Sequence, residues 1–265
     1  MIMIAALLAV LGAMVGSAAG ALAWRLRHKQ SWTSGRSKCE HCRRTLQPRD
    51  LVPIFGWLIL RGRCRDCGKL ISYQYPLLEL AAAAAFAWSY LAWPQALHGA
   101  GLVNLVIWLL AAAGLLALTF YDLRWQVLPN KIIYPMLLIA VVGRLATIGF
   151  YEPGKATAIF KWAAAVAIAS GFFGLLFLVN KKWIGFGDVR LGLITGTLLG
   201  RPGLAALMIF LASLLGTLVS LPLVAAGRRR LASRVPFGPF LIAATFVCLL
   251  YGQSLINWYR SLLAG

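Results

Sequence analysis

Only seven of the 265 residues are acidic: Glu40, Asp50, Asp66, Glu79, Asp122, Glu152 and Asp188. Three of them, Glu79, Asp122 and Asp188, lie within or at the edge of apolar runs, where an ionisable group is costly and points to function. Asp122 closes one run in Phe120-Tyr121-Asp122-Leu123-Arg124, and Asp188 opens another in Gly185-Phe186-Gly187-Asp188-Val189-Arg190. Two carboxylates brought close cannot both ionise easily, so one keeps a proton and the pair serves as general acid and general base on one water. That equipment hydrolyses a peptide bond without a nucleophilic side chain. Gly185 and Gly187 permit unusual backbone angles and the close approach of another backbone, such as an extended substrate. A helix beginning at Asp188 would set the positive end of its dipole beside the carboxylate. The plainer alternative is that Asp188 caps a helix beside Arg190, and Asp122 pairs with Arg124. The histidines, His28, His41 and His98, fall in loops or at the ends of apolar runs and form no triad.

A second constellation is Cys39, Cys42, Cys64 and Cys67, two CxxC pairs in one polar stretch. Each pair turns two thiolates towards one ion, and two pairs complete a tetrahedral zinc shell with no open position, which makes the site structural. Two disulfides are the alternative, disfavoured in a reducing compartment. Lys38, Arg43, Arg44, Arg63 and Arg65 stand where they would offset the thiolate charge, or simply mark membrane orientation. Glu40 and His41 lie between the first two cysteines but are not needed by a filled shell. Cys248, in an apolar run, reads as core.

The elements that must position these groups are membrane helices. The chain is 61% hydrophobic and 12% charged, and its apolar runs recur from end to end. Continuous runs such as Leu105 to Leu118 suit helices rather than barrel strands. Spans are read near 2–24, 76–93, 101–121, 132–150, 159–179, 189–200, 204–226 and 238–258. The fold class is thus an all-α polytopic membrane protein of about eight transmembrane helices, with a cytoplasmic zinc-binding loop between the first and second. The domains are an anchor over 1–24, the four-cysteine loop over 25–75 and a seven-helix part over 76–265.

The formal charge of +19 would suggest nucleic acid in a soluble domain, but the cations cluster in loops between spans, where they report sidedness, and no nucleic-acid partner is expected. The stretch Arg25 to Lys69 carries 12 Lys or Arg and should be cytoplasmic, with both termini outside. Eight spans then leave 21 cations inside, including Lys181, Lys182, Arg228, Arg229, Arg230 and Arg234, and five outside: Arg144, Lys155, Lys161, Arg201 and Arg260. Gly12, Gly16 and Gly20, and again Gly192, Gly196 and Gly200, recur every four residues as flat faces for helix packing.

Taken together, these features resemble the type IV prepilin peptidase family, the leader peptidases and N-methyltransferases of type IV pilus and type II secretion systems. The resemblance runs through Gly16-Ser17 with Arg25-Leu26, the two CxxC pairs, Ile71-Ser72-Tyr73-Gln74-Tyr75-Pro76 leading to Glu79, Asp122 with Leu128-Pro129-Asn130, Gly185-Phe186-Gly187-Asp188, and Pro236-Phe237-Gly238-Pro239-Phe240. It implies that Asp122 and Asp188 are the aspartyl dyad of a bacterial inner-membrane endopeptidase. The enzyme would cut prepilins or pseudopilins after the glycine that ends their basic leader, at the cytoplasmic face of their apolar helix. It further implies methylation of the new N-terminus with S-adenosylmethionine, and makes Glu79 a candidate for methyl transfer or substrate contact. The chain departs from the family's usual pattern at Gly20, at Arg27-His28 and at Gln74. A peptidase without methylation and a proton-coupled carrier are the alternatives.

Overall fold

The structure is a computed structural model that describes residues 1–31, 35–181, 184–226 and 236–264; Lys182, Arg228, Arg229, Arg230 and Arg234 of the charge pattern lie outside the described residues. Nine α-helices are present among the described residues: α1 Ile2–Arg27, α2 Phe55–Ile59, α3 Gln74–Leu91, α4 Ala100–Trp125, α5 Asn130–Tyr151, α6 Lys155–Val179, α7 Phe186–Leu199, α8 Pro202–Ala225 and α9 Gly238–Ala264. Apart from the five-residue α2, they occupy the eight expected spans. Six of them, α1, α4, α5, α6, α8 and α9, are long and apolar enough to cross a bilayer by length and composition.

The other two differ for reasons visible in their residues. Helix α7 has 14 residues and spans only ~21 Å at 1.5 Å per residue, against a hydrocarbon core of about 30 Å. Helix α3 has 18 residues, opens on Gln74-Tyr75-Pro76 and carries a buried glutamate, Glu79. Helix α4 runs one turn past the expected end, so Asp122 lies within it rather than at its terminus; Gln126, in the left-handed conformation at φ 53°, then closes it.

The chain forms two compact units. The first comprises Met1–Ala92 with Ala112–Phe120, and the second Trp93–Ala111 with Tyr121–Gly265. In the first unit α1 lies along α3. A Cβ on Gly16 would sit 2.8 Å from the Glu79 Cα, a backbone atom, so only glycine permits the approach there, and one on Gly20 would meet the Tyr75 ring at 3.1 Å. Tyr75 in turn packs on Phe120 with ring centroids 5.4 Å apart. In the second unit α7 is pressed against α6 in the same manner: Cβ atoms on Gly192 and Gly196 would lie 2.8 Å from the Ala169 carbonyl oxygen and 2.9 Å from the Val166 Cα. Leu191, Ile194, Phe173, Met208 and Leu241 form the fully buried core there, so the short helix that bears Asp188 is held on several sides.

Candidate active site and metal centre

Asp122 and Asp188 both belong to the second unit. Asp122 is 5% exposed although it is a carboxylate in an apolar helix. The backbone N–H of Gly238, first residue of α9, donates to it, and a Cβ on Gly238 would lie 2.7 Å from its Oδ2. Asp188 is the third residue of α7; its Oδ2 accepts the Gly185 N–H at 3.3 Å while its own N–H donates to the Gly185 carbonyl at 3.0 Å. Each carboxylate thus sits at a helix N-terminus with a glycine N–H on it, an arrangement that holds negative charge in an apolar setting. The two lie near enough for their charges to interact. Arg190, the alternative partner of Asp188, turns away: its guanidinium lies 4.9 Å over the Phe186 ring and its Nε reaches the Phe186 carbonyl at 3.4 Å.

Leu128 and Gly238 are the parts of this site to which sequence reasoning gave no role. Leu128 is buried and wedged between the two glycines: a Cβ on Gly187 would lie 3.0 Å from its Cδ1, and one on Gly238 3.7 Å from its Cδ2. The available signal was a glycine followed by proline at the start of an apolar run, which marks a helix N-terminus.

In the first unit, Glu79 is 8% exposed. Its Oε2 accepts the Ile54 N–H at 2.6 Å, and Ser17 of α1 hydrogen-bonds it as well. Ile54 is a β-branched residue at φ 64° and ψ −55°, the centre of a strained γ-turn in which the Phe55 N–H donates to the Pro53 carbonyl at 2.6 Å. Strain of this kind marks a backbone donor held in place by its surroundings. Glu79 lines a cavity of ≈ 180 Å³ whose walls include Ser17, Trp24, Trp57, Tyr75, Cys39 and Cys64.

The four cysteines form one cluster, with all sulfurs within 4.8 Å of one another. All are free thiols, and the Cys39 and Cys67 sulfurs stand 3.9 Å apart, close to the ~3.8 Å edge of a tetrahedron with 2.3 Å zinc–sulfur bonds. The two knuckles are alike. In each, the residue after the second cysteine takes a left-handed turn, Arg43 at φ 58° and Gly68 at φ 67°, and its N–H donates to the carbonyl of the first cysteine, Cys39 at 3.0 Å and Cys64 at 2.9 Å. Without an ion the thiols work against one another: burial raises Cys39, but the backbone N–H groups of Cys42 and His41 and the neighbouring thiols bring it down to about 7. Backbone N–H groups lower Cys42 and Cys64 too, but burial and the other thiols outweigh them and push Cys42 up to about 11 and Cys64 up as well. The donor set therefore fits zinc, with Cys39, Cys42, Cys64 and Cys67 as its ligands. Two of the cations expected to balance the thiolates are instead engaged with carboxylates. Arg44 binds Asp66 at 3.0 Å and Arg65 binds Asp50 at 2.6 Å, and the Arg65 hydrogen bond holds the Asp50 carboxyl below its usual range. Glu40 accepts the Tyr75 hydroxyl.

Comparison with known proteins places these features in one lineage. The profile of the bacterial peptidase A24 N-terminal domain matches residues 10–93, and that of the type IV leader peptidase family matches residues 109–221. Proteins named prepilin leader peptidase/N-methyltransferase are similar throughout: that of Aeromonas hydrophila is 33% identical over 84% of this chain and 74% of its own length. The Bacillus subtilis protein is 30% identical over 98% of this chain and 99% of its own length, and that of Pseudomonas aeruginosa is 28% identical over 84% and 74%. No solved structure matches. With identity of this order sustained along nearly the whole chain, this protein belongs to the type IV leader peptidase family.

Proposed function

We propose that the protein is a membrane aspartyl endopeptidase that removes the basic leader of type IV prepilins or pseudopilins after its terminal glycine, and then N-methylates the exposed N-terminus with S-adenosylmethionine. The observation that carries the peptidase reading is the pairing of Asp122 and Asp188 within one unit, each held by a glycine N–H at a helix N-terminus. One carboxylate takes a proton from water as the water oxygen attacks the scissile carbonyl carbon. The protonated partner donates to the carbonyl oxygen, and a proton then passes to the leaving amine as the C–N bond breaks. Acid and base roles belong to the coupled pair rather than to either residue. The cation distribution supports an inner-membrane protein with both termini outside and the zinc loop and aspartates at the cytoplasmic face. The test is incubation of the purified protein in detergent with a prepilin and S-adenosylmethionine, reading products by intact mass. Asp122→Asn and Asp188→Asn should each abolish cleavage with zinc content unchanged; cleavage retained by either variant would sink the dyad.

For methyl transfer, the residues that fit the cofactor line the cavity of the first unit. Trp24, Trp57 and Tyr75 offer aromatic surface for a nucleobase, and Glu79 offers a buried carboxylate for a cationic centre. S-adenosylmethionine, when bound, supplies the methyl group. Glu79, fixed by Ser17 and the Ile54 N–H, orients the new amino terminus and accepts the proton that it releases. Glu79→Gln should leave cleavage intact and remove the added methyl mass from the product; a fully methylated product from this variant would exclude the role.

A further inference from the structure

The five cations left on the outer side by the charge pattern do not scatter. Arg144, Lys161, Arg201 and Arg260 line one cavity of ≈ 680 Å³ in the second unit. The only carboxylate among its lining residues is Glu152, 3.5 Å from Arg144. The cavity lies where α5 and α7 end and α6 and α8 begin. It is therefore at the opposite end of α7 from Asp188, ~18 Å away along that helix, and plays no part in the peptidase site.

Arg144 is the centre of this group. Its side chain is 19% exposed, and its guanidinium lies flat on the turn that ends α7, where a Cβ on Gly200 would meet the Cζ at 3.0 Å. Gly200 adopts φ +61° there, so the platform needs glycine for both conformation and space. The Arg144 Nε is buried without a hydrogen-bond partner, a costly state for a donor on a charged group. Glu152 meets the neighbouring Nη2 at 3.5 Å, and Arg201 Nη1 is directed to Gln253 Oε1 at 3.1 Å. Two helix N-termini complete the walls. Helix α6 begins at Lys155 with no side-chain cap and no acidic residue in its first turn, and α8 likewise has no acidic residue in its first turn. Gly154 and Thr157 of the one and Gly203 of the other face the cavity. Helix N-termini with their positive dipole ends and four cations against a single carboxylate call for an anion with several acceptor oxygens.

We propose that this cavity is a binding site for a phosphate-bearing anion, either the phosphate of an anionic lipid headgroup or free phosphate. Four of the five helices that frame it, α5, α6, α8 and α9, are membrane-spanning by length and composition, and the cavity lies at their ends, the depth at which headgroup phosphates stand.

The experiment follows thermal unfolding of the protein in nonionic detergent with two probes. One is inorganic phosphate at ionic strength held constant with sodium chloride; the other is dioleoylphosphatidylglycerol in mixed micelles, against dioleoylphosphatidylcholine at the same fraction. The wild-type melting temperature should rise saturably with at least one probe. The midpoint concentration should move at least tenfold higher in Arg144→Gln and in the doubly substituted Lys161→Gln, Arg201→Gln protein. The double variant alters two exposed side chains and should still cleave prepilin, so its weaker response cannot be ascribed to misfolding. Saturation by phosphatidylglycerol alone assigns the site to a lipid headgroup, and saturation by inorganic phosphate as well assigns it to the free anion. No saturable response to either probe, or an unchanged midpoint in the double variant, would overturn the proposal.

Discussion

At the residue scale, the proposed peptidase site depends on how little freedom its carboxylates have. Asp122 is pinned from the α9 side, where Gly238 leaves no room for a methyl group beside Oδ2. The atom that an added Cβ would strike is the free end of a side chain, so the protein can relieve the clash by turning the carboxylate away, at little cost in stability but with the reacting group displaced. Gly238→Ala should therefore keep the melting temperature within a few degrees while lowering kcat for prepilin cleavage roughly 10- to 100-fold, because ångström-scale misplacement of a catalytic group costs about that much. A Gly238→Ala enzyme with wild-type kcat would show that the close contact does not position Asp122. As candidates the aspartates were legible in the sequence, since a carboxylate in an apolar run stands out from its surroundings. Gly238 and Leu128 were not, because what gives them a role is a distance between α9, α7 and the turn after α4, and no local pattern encodes it. Glu79 was intermediate: its type drew notice, but its strained partner at Ile54 came only with the fold.

At the scale of elements, spacing carried more. Glycines every four residues announced two close helix pairs, and α1 on α3 and α7 on α6 are those pairs. The eight expected spans reappear as helices, six of them long and apolar enough to cross a bilayer. Their ends were less legible: α4 continues past Asp122 until Gln126 turns left-handed, and that turn depends on conformation rather than composition. The short α7 is the element most exposed to disturbance, since Gly192 meets backbone, the Ala169 carbonyl and the Ser170 Cα, at 2.8 and 2.9 Å. Backbone cannot rotate aside as a carboxylate can. Gly192→Val should accordingly destabilise the protein by about 1–3 kcal/mol, measured in detergent by thermal or denaturant unfolding, and should lower cleavage along with stability. This is the reverse of the signature expected for Gly238→Ala. A Gly192→Val protein as stable as wild type would mean that α6 and α7 can part without loss.

At the scale of the molecule, the division into two units sets an expectation about which lesions travel together. The zinc cluster, Glu79 and the aromatic cavity belong to the first unit, and the aspartyl pair to the second. Because two pairs of cysteines from separate knuckles converge on one ion, the metal closes the loop from Cys39 to Cys67 and contributes directly to the folding of that unit. The purified protein should contain one zinc per chain by elemental analysis, and Cys64→Ser should lose it. Stripping the metal with a chelator should then lower methylation of a pre-cleaved prepilin at least tenfold, since Cys39 and Cys64 form part of the wall of the cavity that holds Glu79. Cleavage, measured on the same stripped sample, should fall by a smaller factor, because neither aspartate nor the glycines that hold them belong to the unit that the zinc organises. Restoring zinc should recover methylation with the same dependence on metal concentration as the return of a folded loop, followed by protection of that loop from protease. Equal loss of both activities on chelation would mean that the two units fold as one cooperative body, and that the metal supports the peptidase as directly as it supports the proposed methyl-transfer cavity.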